Sequence, residues 1–269
     1  MRPDVDTVIV AHDSGDLLLD AVRSAVEEVG EDRVWVVDAE STDGSIERVA
    51  GSFPVVHILP VVNAGFSAGN NRGIEATTSP YVLLLNPDAE VAPGVVAALV
   101  AAMEAAGPDV GIVAPLVLNS DGTIQAGSYG RFPSVQVRAE IALGRAVRAL
   151  TRRRETPAVP AARTAVDWVT GAAMLVRRTA IEAAGPMDEA FFLYYEDVEW
   201  CHRMQDRGWR VLLEPSVHVV HHLGKSGAGL AEAAYREGFE RYCDLYGLWG
   251  LKALSRVGVA VRRVFGGRG

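Results

Sequence analysis

Five stretches of this chain concentrate side chains that can do chemistry. In Val36-Val-Asp-Ala-Glu-Ser-Thr-Asp-Gly-Ser45 an apolar, β-branched run delivers Asp38 to its C-terminal edge, where ligands bind in open α/β sheets. A carboxylate there can accept from a nucleobase N–H or a ribose hydroxyl, and Asp38 and Asp43 would equally serve as turn and cap residues. In Asn63-Ala-Gly-Phe-Ser-Ala-Gly-Asn-Asn-Arg-Gly73 glycines and asparagines surround the start of a helix. Its backbone N–H groups, its dipole and Arg72 can face an anion; a glycine-rich turn with a capped helix is the other reading. The pattern is neither GxGxxG nor a Walker loop.

Tyr81-Val-Leu-Leu-Leu-Asn-Pro-Asp-Ala-Glu90 reads as a central strand stopped by Pro87. Asn86 and Asp88, two apart, point the same way in extended geometry. Such hard oxygen ligands suit Mg²⁺ or Mn²⁺ beside a diphosphate, or a helix cap. In Phe191-Phe-Leu-Tyr-Tyr-Glu-Asp-Val-Glu-Trp-Cys-His-Arg203, Glu196 and Asp197 stand against apolar neighbours. Burial and mutual repulsion raise carboxyl pKa values toward general-base chemistry, while the helix dipole alone would also favour acids at that position. Glu199 and Arg203, four apart, fit a helix-surface ion pair. Finally, His218-Val-Val-His221-His222-Leu-Gly-Lys-Ser226 ends a strand with histidines that can offer an imidazole to a metal, and alternation puts His222 on the face opposite His221.

The elements that would position these groups alternate in the manner of a layered α/β sheet. Strands are expected at Thr7–Ala11, Val34–Val37, Val55–Leu59, Tyr81–Leu85 and Gly111–Leu118, and helices near Leu17–Val29, Ser67–Thr77 and Val95–Ala106, with a loop entering a further helix at Ser45–Val49. After a less regular stretch from Asn119 to Pro160, Val166–Arg178 reads as one strand. A helix over about Tyr195–Arg207 follows, then strands Arg210–Leu213 and His218–His221. Two helices broken around Gly247–Gly250 close the pattern.

A length of 269 residues with 49% hydrophobic composition supports a substantial core and excludes a disordered or fibrous chain. Cys201 and Cys243 are too few for a disulfide framework or a thiolate cage, which suits a reducing cytosol, and no secretory leader is expected in the polar opening residues. Charge is partitioned. Residues 1–137 hold six cations against 19 anions and residues 155–246 nine against 14. Residues 138–154 hold six against one, and 247–269 five against none. An acidic body argues against nucleic acid, while the two short basic segments invite an anionic surface.

Taken in order, the motifs resemble family 2 glycosyltransferases of the GT-A fold, most nearly the bacterial rhamnosyltransferase-like branch. The likeness rests on Val8-Ile-Val-Ala-His-Asp-Ser14, Val37 through Ser45, Asn63 through Gly73, Leu84-Leu-Asn-Pro-Asp88, Trp168-Val-Thr-Gly-Ala-Ala-Met-Leu-Val-Arg-Arg178, Tyr195-Glu-Asp-Val-Glu199 and His221 through Ser226, and spans about residues 5–230. It implies a Rossmann-like nucleotide-sugar half over 1–118 with a mixed central sheet. An acceptor and catalytic half over 119–230 would carry a mobile segment at about 127–163, and a helical tail would occupy 231–269.

By the same likeness the reaction is an inverting transfer from a nucleoside-diphosphate sugar, dTDP-rhamnose first and UDP-sugars next, to a hydroxyl of a glycan or polyprenyl-linked acceptor. Asp197 would be the base, with Glu196 beside it. Ala11, Asp13, Asp38, Asn63, Gly65, Gly69, Arg72, Asn86 and Asp88 would bind the donor. Asp88 and His221 would hold Mg²⁺ or Mn²⁺, with Asn86 where many relatives carry the first Asp of a DxD. Trp168, Gly171 and Tyr195 would meet the acceptor. The alternative is a catalytically idle nucleotide-sugar or polysaccharide-binding homologue. A nucleotidylyltransferase is disfavoured because no glycine-rich loop with a trailing Arg follows the first strand. The missing GxGxxG disfavours a dinucleotide oxidoreductase.

Residues 248–265 carry Trp249, Leu254, Val261 and Phe265 among four cations, the composition of a surface-lying helix. With Arg145, Arg148 and Arg152–Arg154 they suggest peripheral attachment of a cytoplasmic protein to the inner leaflet; a solvated helix or a homodimer contact would have the same composition.

Overall fold

The computed structural model describes residues 2–140, 159–222 and 228–256. The expected Arg-rich run at 145–154, the loop Gly224–Ser226, and Val261 and Phe265 lie outside the described residues.

Strand β1 (Val5–Ala11) is buried along its whole length, and the apolar run β4 (Tyr81–Leu85) is buried from Val82 onward. Continuous burial of this kind requires cover on both faces of a sheet, and each fully buried Leu or Val contributes about 1.5–3 kcal/mol. Helix α1 (Leu17–Val29) buries Leu18, Ala21, Val22, Ala25 and Val29, the spacing of one helical face. With α4 (Val95–Ala106) it covers one side, in a core containing Ile9, Leu83, Leu85, Leu99 and Met103. The other side packs Val8, Leu84, Met174, Trp200 and Met204 in a second core.

The remaining elements are β2 (Val34–Ala39), α2 (Ser45–Ser52), β3 (His57–Val61), α3 (Phe66–Ala76), β5 (Ala89–Val91), β6 (Val110–Leu118), β7 (Tyr129–Gly130) and a helical stretch, α5, at 135–140. Then come β8 (Thr164–Ala165), β9 (Trp168–Val169), β10 (Ala173–Arg177), α6 (Arg178–Ala184), α7 (Glu196–Asp206), β11 (Arg210–His221), α8 (Ala228–Leu245) and a final helical stretch at 249–256. The main sheet runs β3-β2-β1-β4-β10-β6-β11-β5, with β8 also on β11, and β7 pairs with β9 in a small second sheet. Pairs β1/β2, β2/β3, β1/β4 and β6/β11 are parallel; β10 lies antiparallel between β4 and β6. Strands β2 and β4 flank β1, so the chain order reverses there and a crevice opens at the C-terminal ends of β1 and β4.

Three sequence expectations are corrected. Val166–Arg178 is not one strand: it breaks at Thr170–Ala172 into β9 and β10, because the Gly171 N–H turns out of the ladder to donate to Asp197 Oδ2 at 3.0 Å. Conversely, Arg210–Leu213 and His218–His221 join in one strand, β11, whose register against β6 shifts between Glu214 and His218 around Pro215. The third strand also begins later than expected, at His57 rather than Val55. No helix among the described residues is long and apolar enough to cross a membrane.

Candidate active site

At the end of β4 the backbone N–H of Asn86 donates to the Ala172 carbonyl at 2.9 Å. One residue earlier, Gly171 binds Asp197. The break between β9 and β10 therefore joins the Asn86–Asp88 turn to the carboxylate at the start of α7. A Cβ on Gly171 would stand 3.0 Å from the Phe66 ring, so a larger residue would press on this junction.

On one side of the junction, His221 at the end of β11 is buried, with its Nε2 3.0 Å from Asp88 Oδ1 and 3.2 Å from Asn86 Nδ2. Its Nδ1 lies 2.9 Å from Gln125 Oε1. An amide oxygen only accepts, so Nδ1 carries a proton toward Gln125. The Asp88 oxygen at Nε2 also only accepts, so a second proton or a cation lies between them, and a cation there takes the Nε2 lone pair. Beside them Asn86 Oδ1 is buried without a hydrogen-bond partner. These donors fit a hard divalent cation. Among the described residues no three His, Cys, Asp or Glu side chains converge as a cage. A cation held here would take its other oxygens from water or phosphate, as Mg²⁺ does. His222 points the other way, to Glu90 and Ser120, as strand alternation requires.

On the other side, Asp197 is half-buried and accepts from Gly171 N–H, from Val198 N–H at 2.8 Å and from the Thr170 hydroxyl. Burial nevertheless raises its pKa above the ordinary range. Glu196 is 4% exposed, and its Oε2 has no partner. Burial, then the charge of Asp197, raise its pKa well above the usual carboxyl value. With donors on Asp197 and an orphan oxygen on Glu196, Glu196 holds the shared proton and Asp197 is the carboxylate. The Tyr194 phenol, raised mainly by burial, lies close enough to both Glu196 and Asp88 to respond to their ionisation.

Tyr194 and Tyr195 both have left-handed backbone, with φ of 69° and 71°. For bulky residues this is strained, and strain of this kind persists only where surroundings impose it. Here α8 supplies the constraint: a Cβ on Gly238 would collide with the Tyr194 carbonyl oxygen. The corner aims Glu196 and Asp197 into the first turn of α7, where the dipole favours a carboxylate.

The donor-side residues are arranged differently. Ala11 is fully buried at the end of β1 and pairs in register with Asp38. Asp38 Oδ1 accepts from Ser41 N–H at 2.9 Å, and Asp13, with φ of 47°, accepts from Thr42 N–H at 2.7 Å. Asn63 Oδ1 accepts from Gly65 N–H. At the start of α3, where donor contacts are expected, the residues have partners within the protein. Phe66 N–H donates to the Phe192 carbonyl at 2.7 Å, and the Gly65 backbone lies against Phe192. Gly69 rests on Val10, and Arg72 is paired with Glu75 and Glu189 at the surface. Asn71 clamps Met187 through both backbone groups, so the asparagine-rich segment stitches α3 to the loop that leads into the Tyr194 corner.

Of the expected acceptor residues, Gly171 lies in the cleft, while Trp168 Nε1 donates to the Arg131 carbonyl. Tyr195, expected there too, instead packs on Phe239 and Tyr242 of α8 with its hydroxyl on Tyr235. Gln125 and Thr170 escaped the sequence reading, since a lone Gln after a turn and a Thr inside an apparent strand carry no local signal. In the tail Trp249 and Leu254 are 65% and 57% exposed, but Lys252 and Arg256 pair with Asp244 and Glu240. Two shallow hollows, of about 410 and 310 Å³ on α8 and beside α6, include none of the cleft residues.

The profile of glycosyl transferase family 2 matches residues 6–176, which takes in β1 through β10 and so the Asn86–Ala172 junction. The chain belongs to glycosyl transferase family 2. It is 30% identical over 217 residues to an N-acetylglucosaminyl-diphospho-decaprenol L-rhamnosyltransferase of Mycobacterium tuberculosis, covering 72% of this chain and 67% of that protein. A low-salt glycan biosynthesis hexosyltransferase of Haloferax volcanii is 27% identical over 228 residues, 82% of this chain and 68% of that one. The fold matches the mannosyltransferase PcManGT from Pyrobaculum calidifontis, solved with GDP-Man and Mn²⁺. The TM-score is 0.61 at 18% identity, with 89% of this chain and 63% of that chain covered. The family 2 glycosyltransferase therefore has the GT-A architecture, with β10 and β11 completing the sheet begun by β1–β4.

Proposed function

We propose that this glycosyltransferase moves a hexosyl group, L-rhamnose from dTDP-rhamnose, with inversion, to a hydroxyl of a glycan or polyprenyl-diphosphate-linked acceptor. The observation that carries the reading is the Gly171–Ala172 junction, which holds Asp197 and Asn86 on adjacent residues. An in-line displacement needs a base on one face of the sugar and a charge sink on the other.

Asp197 Oδ accepts the acceptor's hydroxyl proton as that oxygen bonds to the anomeric carbon, and the carbon–oxygen bond to the diphosphate breaks with its electron pair on the leaving group. Glu196, already protonated, does not compete for the proton. Asp88, His221 and Asn86 would hold Mg²⁺ or Mn²⁺, which supplies charge stabilisation to the departing diphosphate. Asp13 and Asp38, on the rim beyond β1 and β2, would face the nucleoside. The mycobacterial relative supports a rhamnosyl donor and a lipid-linked acceptor.

Thermal stabilisation across dTDP, UDP and GDP with and without Mn²⁺, followed by turnover of the matching sugars, tests this. Ligand at 100 times its Kd raises stability by about 2.7 kcal/mol. The largest shift is expected with dTDP and Mn²⁺. A shift with UDP only would change the donor, and binding without turnover of any sugar on any hydroxyl acceptor would favour the idle homologue.

A further inference from the structure

We propose that Gln125 is a positioning residue that selects the tautomer of His221 and so turns the Nε2 lone pair toward the cation end of the cleft. The proposal rests on reading Asp88 and His221 as that end.

Gln125 reaches His221 through a built connection. Beyond β6 the chain reverses in a turn, with Asn119 N–H donating to the Thr123 carbonyl at 2.8 Å and Asp121 accepting from Thr123 N–H at 2.9 Å. Ile124 then bridges back to Leu118, and Gln125 N–H donates to the Val117 carbonyl at 2.9 Å. Because β6 pairs with β11 up to Leu118 opposite Val220, this return sets Gln125 beside the next residue of β11, His221. The Gln125 carbonyl accepts from Ser128 Oγ at 3.0 Å, and the Ser128 carbonyl accepts from Thr170 N–H at 2.8 Å. The segment is thus anchored to the same loop whose Thr170 and Gly171 bind Asp197.

The neighbouring histidine supplies an internal contrast. The same turn offers Ser120 Oγ to His222 Nδ1 at 2.9 Å. A hydroxyl donates or accepts, so Ser120 makes no demand on Nδ1, and the Glu90 carboxylate at Nε2 settles the His222 tautomer instead. Gln125 Oε1, by contrast, only accepts, and at 2.9 Å it requires a proton on His221 Nδ1. Without that acceptor, the proton would move to Nε2, where Asp88 Oδ1 at 3.0 Å is ready to receive it. The lone pair would then be turned away from the cleft. Outer partners of metal-binding histidines act in this way, and losing one typically costs about 10–100-fold in metal affinity.

Two measurements test it: long-range proton–nitrogen correlation spectra of ¹⁵N-histidine protein without metal, with His221 assigned by His221→Ala, and Mn²⁺ titration by electron paramagnetic resonance with dTDP or UDP present. The wild-type His221 Nδ1 is expected to carry the proton. Gln125→Leu, similar in size but without an acceptor, is expected to shift the proton to Nε2 and weaken Mn²⁺ binding by about 10–100-fold at an unchanged Tm. Gln125→Glu, which restores an acceptor, is expected to recover both signals. An unprotonated Nδ1 in the wild-type protein, or Mn²⁺ binding by Gln125→Leu equal to wild type, overturns the proposal. Wild-type protein that takes up no Mn²⁺ removes the cation reading itself, an outcome kept separate because the tautomer is read without metal.

Discussion

The loops after β1 and β2 and the loops around β10 and α7 both line the sheet's active edge, but they treat their polar groups in opposite ways. At the ends of β1 and β2, Asp13, Asp38 and Asp43 each accept a backbone N–H, from Thr42, Ser41 and Ser45, and the loops close on themselves. Left-handed residues occur on both sides, Asp13 and Glu40 on the first and Tyr194 and Tyr195 on the second, but around β10 and α7 Asn86 Oδ1 and Glu196 Oε2 are also buried without partners. A buried, unpaired polar group costs about 1–3 kcal/mol, so the fold bears a penalty on the second side that it avoids on the first. The lesson is that the end proposed to carry the chemistry is where buried polar groups go unpaired, while the end proposed to face the nucleotide pairs its carboxylates as an ordinary turn does.

Substitutions can break this contrast. The largest effect is expected from Asp197→Asn, which keeps the shape and an acceptor for one of the Gly171 and Val198 N–H groups but removes the base: transfer should fall by about 10²–10⁴ while nucleotide binding, read by thermal shift, is retained. Transfer at the wild-type rate would move the base elsewhere. Away from both regions, in α3, Gly73→Ala drives a Cβ into Val8 of β1. The expected outcome is a loss of about 1–3 kcal/mol in denaturant unfolding, with turnover per folded molecule unchanged.

The smallest effect sharpens the electrostatics. Glu196 binds its proton more tightly folded than unfolded, so its contribution makes stability fall as pH rises past the ordinary carboxyl range toward its raised folded pKa. Glu196→Gln cannot ionise, so its stability should decline less over that interval in Tm measured against pH. Parallel profiles for the two proteins would mean that Glu196 is not held protonated.

Much of the fold was readable from pattern. The apolar run Val82–Leu85 before Asn86, and the α1 face from Leu18 to Val29, announce themselves by local periodicity. Asn86-Pro-Asp88 and Glu196-Asp197 stood out for the same local reason. Where reading failed, a distant contact overrode the local signal. Thr170–Ala172 looked like strand until Asp197 and Asn86 claimed its backbone groups.

By itself, then, the sequence determined which elements form and which side chains carry reactive groups, because both follow from neighbours within a few residues. Only the tertiary structure decided that β10 lies between β4 and β6. That insertion sets Asn86 and Asp197 on adjacent residues of one loop, and the pairing of β6 with β11 lets a turn after β6 hand Gln125 to His221. Those pairings join residues up to 96 positions apart in the chain. Periodicity is silent at that range, and the choice was made by burial of the sheet's two faces and by the hydrogen bonds its ends required.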